Sequence, residues 1–211
     1  MKSRISGLLS NVDVVLHDLD SADIERATGL TAELQRIWRN RGVIAKKSGT
    51  RAKYTPLDAA AFGLAKVLRF YGCPQPEALK LSRDYEDRIL QLAMENAFGV
   101  IETFGTPSFT DQLFKEMDAS DRIFGEIAGI GESSKALLLV SADGQGFEEA
   151  REVPEPLTLG GPIHFCTIDL VALSRNLADQ IGRPLVTIRQ KIADDSGAAI
   201  IRRIYQPKTE K

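Results

Sequence analysis

The sequence predicts an α+β fold on three observations. Two short stretches with helical spacing, each stopped by a glycine, precede a small glycine-tipped hairpin within residues 21–54. A long stripe of residues recurring at three and four runs from Pro76 to about Phe104. Short runs rich in β-branched residues then fill the last third of the chain. The expected division is an N-terminal unit over 1–75, a helical connecting region over 76–118 and a small α+β domain over 119–211.

The first helix opens at Ser21, a capping-type residue, and closes at Thr28-Gly29. Thr31 can cap a second helix that runs to about Arg41 and stops at Gly42, which is helix-turn-helix spacing. Val43-Ile44-Ala45 and Arg51-Ala52-Lys53-Tyr54 then flank Lys47-Ser48-Gly49-Thr50 as a wing over 43–54. Thr55-Pro56-Leu57-Asp58 starts a third helix, whose apolar stripe from Leu57 to Tyr71 ends at Gly72 with Pro74 beyond. From Pro76, the residues Ala78, Leu81, Tyr85, Ile89, Leu92, Asn96 and Val100 predict one long amphipathic connecting helix. That stripe either packs inside the chain or forms a dimer seam in which Asn96 helps to set register. Thr106-Pro107-Ser108 breaks the pattern.

In the last third, Leu137–Val140, Ile163–Ile168, Leu185–Ile188 and Ala199–Tyr205 read as strands, with Asp143-Gly144 and Asp195-Ser196-Gly197 as turns. Asp169 to Ile181 reads as a helix that turns Leu170, Leu173, Leu177 and Ile181 inward and stops at Gly182.

Composition narrows the function classes. The 211 residues are 43% hydrophobic and 27% charged, which is globular and excludes wholesale disorder and disulfide-dense scaffolds. No stretch approaches the roughly 18 uninterrupted apolar residues of a membrane helix. Only Cys73 and Cys166 are present, in no paired spacing, as expected of a cytoplasmic chain. The net charge of −2 hides an uneven division: residues 23–72 carry ten bases and four acids, and residues 73–211 carry fifteen bases and twenty-two acids. A basic block in an otherwise acidic chain marks a surface for a polyanion, with double-stranded DNA the leading partner.

The second helix concentrates that charge. At about 100° per residue, Leu34, Ile37 and Trp38 share one arc with Leu30, while Ala32, Gln35, Arg36 and Arg39 fall on another. A guanidinium grips phosphate or guanine at two points, a Gln amide pairs with adenine, and a small Ala permits close approach to a groove. Thr31, Ala32, Gln35, Arg36, Arg39 and Arg41 are therefore the candidate groove residues of helix 31–41. Lys46, Lys47, Arg51 and Lys53 would place the wing on neighbouring phosphates.

Several motifs in order make residues 20–80 similar to the DNA-binding domain of the MerR family of winged helix-turn-helix regulators. They are Thr28-Gly29-Leu30-Thr31, Arg36-Ile37-Trp38, Gly42-Val43-Ile44, Tyr54-Thr55-Pro56-Leu57-Asp58 and Leu68-Arg69-Phe70-Tyr71-Gly72. The resemblance implies an N-terminal winged helix-turn-helix, backbone contacts from Arg36 and Tyr54, a core role for Trp38, and a homodimer joined through a helix after the DNA-binding domain. Gln35, Ile37 and Arg39 depart from the residues usual in that family, and the wing is shorter.

Little else carries chemistry. His164 and Cys166 share a strand face without further ligands, so no metal site and no cofactor is expected. Gly129 to Lys135 lacks the glycine that a phosphate loop needs before its lysine. No nucleophile-base or paired-carboxylate pattern is legible, so no enzyme is expected. The expected function is a dimeric, sequence-specific regulator of transcription, with RNA polymerase or a small-molecule effector as further candidate partners of residues 119–211. The alternatives are an architectural or recombination-directing winged-helix protein, or a ligand-sensing or protein-docking module that does not itself read DNA.

Overall fold

The computed structural model describes residues 9–42, 44, 53–120, 122–128, 137–141, 147–150, 165–192 and 199–207. Among them the chain is mixed α and β, in the order β1 (Val12–Leu16), α1 (Ser21–Thr28), α2 (Ala32–Asn40), α3 (Pro56–Phe70), α4 (Gln75–Asp84), α5 (Glu86–Asn96), β2 (Ile101–Gly105), α6 (Pro107–Ala119), α7 (Arg122–Ala128), β3 (Leu137–Ser141), β4 (Phe147–Ala150), β5 (Phe165–Asp169), α8 (Leu170–Ile181), β6 (Val186–Gln190) and β7 (Ile201–Ile204). Two sheets form, one ordered β1-β6-β2-β7 and the other β4-β3-β5. In the first, β2 and β6 are parallel and both edge strands run antiparallel to their neighbours. No helix among the described residues is long and apolar enough to cross a membrane.

Helix α3 is the centre of the core. Its Ala59 to Ala65 are buried without interruption, as expected of a helix surrounded by others rather than lying on a surface. Thr55 and Asp58 form a reciprocal capping box with Pro56 in the first turn, the start expected from sequence. Small residues let neighbouring helices approach closely. A Cβ added at Gly63 would lie 3.2 Å from Leu177 Cδ2 on α8. Gly63→Val adds two further methyl groups to that contact and is expected to destabilise the fold by about 1–2 kcal/mol, read as a lower urea midpoint with unchanged slope.

The long connecting helix expected from Pro76 to Phe104 is not formed. Helix α4 ends at Asp84, Tyr85 leaves the helical path with φ −115° and ψ −2°, and α5 stops at Asn96. Gly99 then takes φ 74°, which an L side chain resists, and Ile101–Gly105 continue as strand β2. The run Val100-Ile101-Glu102-Thr103-Phe104 is rich in strand formers and finds its partner in β6, so tertiary pairing decides a segment whose spacing also fits a helix. The stripe's Ala78, Ile89 and Leu92 are buried inside the molecule, with α5 packed on α8, α3 and α7. Asn96 donates to Leu92 O at 2.9 Å and accepts from Arg175 at 3.4 Å. The seam expected on this helix is thus filled from within the chain.

The C-terminal strands and helix stand near their expected positions, and Gly182 ends α8 as expected. They do not make a separate unit. β6 and β7 complete a sheet with β1 and β2, so the first sheet draws on all three expected segments. The two expected turns at Asp143-Gly144 and Asp195-Ser196-Gly197, and the loop from Gly129 to Lys135, lie outside the described residues.

Candidate nucleic-acid interface

The helix-turn-helix spacing read from the sequence corresponds to α1, a tight turn and α2. Asp20, rather than Ser21, caps α1: its carboxylate accepts from the N–H groups of Ala22 at 2.8 Å and Asp23 at 2.9 Å, and the Asp23 carboxylate accepts from the N–H of Asp20. Gly29 closes the helix with φ 66°, its N–H donating to Glu25 O at 2.7 Å. The Lys66 ammonium from α3 lies against that glycine where a Cβ would stand. Thr31 caps α2 as expected, accepting from the N–H of Leu34 at 3.3 Å.

Two predicted contact residues are instead interior. Gln35 is fully buried. Its amide nitrogen donates to Leu30 O at 2.7 Å and Ser21 O at 3.0 Å, and its oxygen accepts from the hydroxyls of Ser21 at 2.6 Å and Tyr54 at 3.0 Å. Two carbonyls facing one end fix which end is nitrogen, so the amide orientation follows from its partners. The angular reason is plain: at about 100° per residue Gln35 sits about 60° from Trp38 and about 100° from Arg36, on the border that faces the core. Tyr54 is 3% exposed, and its backbone pairs with Leu19 in an isolated bridge. Burial raises the Tyr54 hydroxyl's pKa, with Asp58 adding to the effect and Arg39 opposing it. Neither side chain is placed to touch a groove or a phosphate. Trp38 is core, edge-on to Phe62 at 6.2 Å, and Tyr54 meets the same ring at 5.8 Å.

The outward face of α2 is made by the rest of the set. Thr31, Ala32, Arg36 and Arg41 are exposed, and Arg39 is half-buried, its Nε donating to Gln35 O at 3.3 Å. Asn40 and Glu33 are exposed on the same face and were not singled out from sequence. Asn40 follows Arg36 by four residues, so the two lie one above the other, a spacing that names Asn40 once Gln35 is removed from the face. Lys53 is exposed and paired with Asp18 at 2.7 Å. Lys46, Lys47 and Arg51, with nearly all of the wing, lie outside the described residues.

The C-terminal half reaches into this unit. Arg183, in the connection between α8 and β6, donates to the Asp23 carboxylate at 2.6 Å and to Asp18 O at 3.0 Å. Asp23 also accepts from Arg26 at 2.5 Å. Burial by itself would raise the Asp23 pKa, but the Asp20 N–H and the Arg183 and Arg26 guanidinium groups outweigh it and hold the carboxyl below its ordinary value. Helices α1 and α8 pack along this same contact.

Elsewhere the described residues contain no group of three or more His, Cys, Asp or Glu side chains able to hold a metal. His164 lies outside the described residues. Cys73 is buried beside the end of α3, and burial, with Glu77, pushes its thiol up and away from reactivity. No protein-family model, curated protein or solved structure matches the chain.

Proposed function

We propose that the protein is a sequence-specific regulator of transcription that reads duplex DNA with the outward face of α2. The observation that carries this reading is the buried amide of Gln35, which ties α1, the turn, α2 and Tyr54 into one unit. A rigid pair of short helices presents Ala32, Arg36 and Asn40 together, with Arg39 beside them. Arg36 supplies a fork for phosphate or guanine, Asn40 supplies donor and acceptor for adenine, and Ala32 allows close approach. The basic balance of residues 23–72 favours the encounter. A homodimer is part of the proposal, because paired half-sites double the contacts. Its seam lies away from the α5 stripe, which is buried within one chain.

Fluorescence anisotropy of the full-length protein against genomic duplex fragments, at several salt concentrations, tests this reading. The expected result is tight binding to a few fragments, two protomers per site and a steep loss with salt. Arg36→Ala, with folding verified by circular dichroism, is expected to weaken binding by about tenfold or more. Binding to all fragments no tighter than about 100 μM at low salt, for wild type and variant alike, would sink the proposal.

A further inference from the structure

The first sheet has an outer face that the α2 interface does not use. Register places Val15, Thr187, Glu102 and Ile204 in one row across its four strands. The next row runs Asp13, Arg189, Phe104 and Arg202, which puts Phe104 of β2 directly between Arg189 of β6 and Arg202 of β7. The face opens to solvent on both edge strands and at both arginines: Val15 is 42% and Ile204 43% exposed, Arg189 and Arg202 are exposed, and Phe104 is half-exposed.

The chemistry of the second row is specific. The Arg189 guanidinium stands 5.5 Å from the Phe104 ring centre, and its register partner on the other side, Asp13 of β1, pairs with Lys191 at 3.1 Å. Arg202 uses its Nε on the buried Glu102 carboxylate, which leaves its terminal nitrogens toward solvent. Glu102 is held in turn by Thr187 Oγ1 at 3.3 Å, and that hydroxyl lies 2.6 Å from His17 Nε2. A line of hydrogen bonds across the strands therefore fixes Arg202 beside the ring. Of the seven bases in residues 183–211, Arg189 and Arg202 lie on this face, while Arg183 pairs with Asp23 and Arg203 with Asp111.

We infer that this face binds single-stranded nucleic acid, with one base stacked on Phe104 and the adjoining phosphates on Arg189 and Arg202. An aromatic ring between two cations on an open sheet matches what an unpaired base and its backbone need. A duplex keeps its base faces stacked and cannot offer them to the ring, so this surface and α2 discriminate between the two forms.

The test is anisotropy of the full-length protein with fluorescein-labelled DNA and RNA single strands of about 12 nucleotides at low salt. Phe104→Leu keeps apolar bulk without a ring, and Arg189→Gln removes an exposed cation. Each is expected to weaken single-strand binding by about tenfold, while Arg36→Ala leaves it unchanged. If Phe104→Leu does not fold, Arg189→Gln alone decides. The inference is overturned if neither sheet variant changes binding, if Arg36→Ala removes it, or if no single strand binds. It is also overturned if free nucleoside monophosphate displaces the strand completely, which would mark a mononucleotide pocket, or if the variants alter only the sedimentation of the protein, which would mark a contact between copies. Duplex binding lost in Arg36→Ala with no single strand bound by wild type would leave the α2 reading standing and this one refuted.

Discussion

Gln35→Leu is expected to lower stability by about 3–4 kcal/mol. Leucine fills nearly the same volume, so packing is not the cause. The substitution strands two hydroxyls and two carbonyls that the amide now satisfies. A buried polar group left without a partner costs roughly 1–3 kcal/mol, and partial relaxation keeps the sum well below four such penalties. Tyr54→Phe removes one of those hydrogen bonds together with its donor and is expected to cost only about 1 kcal/mol. Urea unfolding of the two variants checks the contrast. Equal midpoints for wild type and Gln35→Leu would mean that the amide is not the tie between the two short helices.

Asp23→Ala is expected to cost about 2–3 kcal/mol. The carboxylate is buried, completes the cap of α1 and receives two guanidinium groups, although both arginines keep about half their surface in water, which moderates the loss. The acid limb of the stability curve carries the signature. Because the folded-state pKa lies below its ordinary value of 3.8, ionised Asp23 contributes its full stabilisation above that pH. The contribution fades as pH falls through the lower folded value. Asp23→Asn should therefore be less stable than wild type at neutral pH, and the gap should close as pH drops below about 4. A gap that persists at pH 2 would assign the loss to shape or capping rather than to charge.

Local signals were read well from sequence where they act alone. Gly29, Thr31, Thr55-Pro56 and Gly182 mark helix ends because their preferences are backbone preferences, independent of what surrounds them. The outward face of α2 was legible in its centre, at Ala32 and Arg36, and misread at its border. Gln35 stands where an arc of apolar residues meets an arc of charged ones, and only the arrival of Ser21 and Tyr54 from elsewhere in the chain decides that it turns inward. Val100 to Phe104 show the same limit on a larger scale, since β6, which supplies its pairing, is distant in sequence. β1 and β4 escaped notice because five or four residues give too short an alternation to stand out.

The pairing of β1 with β6 also sets an order of events in the life of the chain. His17 and its hydrogen-bond partner Thr187 are 170 residues apart. During synthesis the two short helices can close on α3 within the first third of the chain, whereas β1 waits until almost the whole sequence has emerged. Throughout that interval an apolar Val-Asp-Val-Val-Leu strand has no hydrogen-bonded neighbour. The expected vulnerability is therefore kinetic: nascent or truncated chains ending before residue 186 should aggregate through this strand, and a chaperone that shields it should raise the soluble yield.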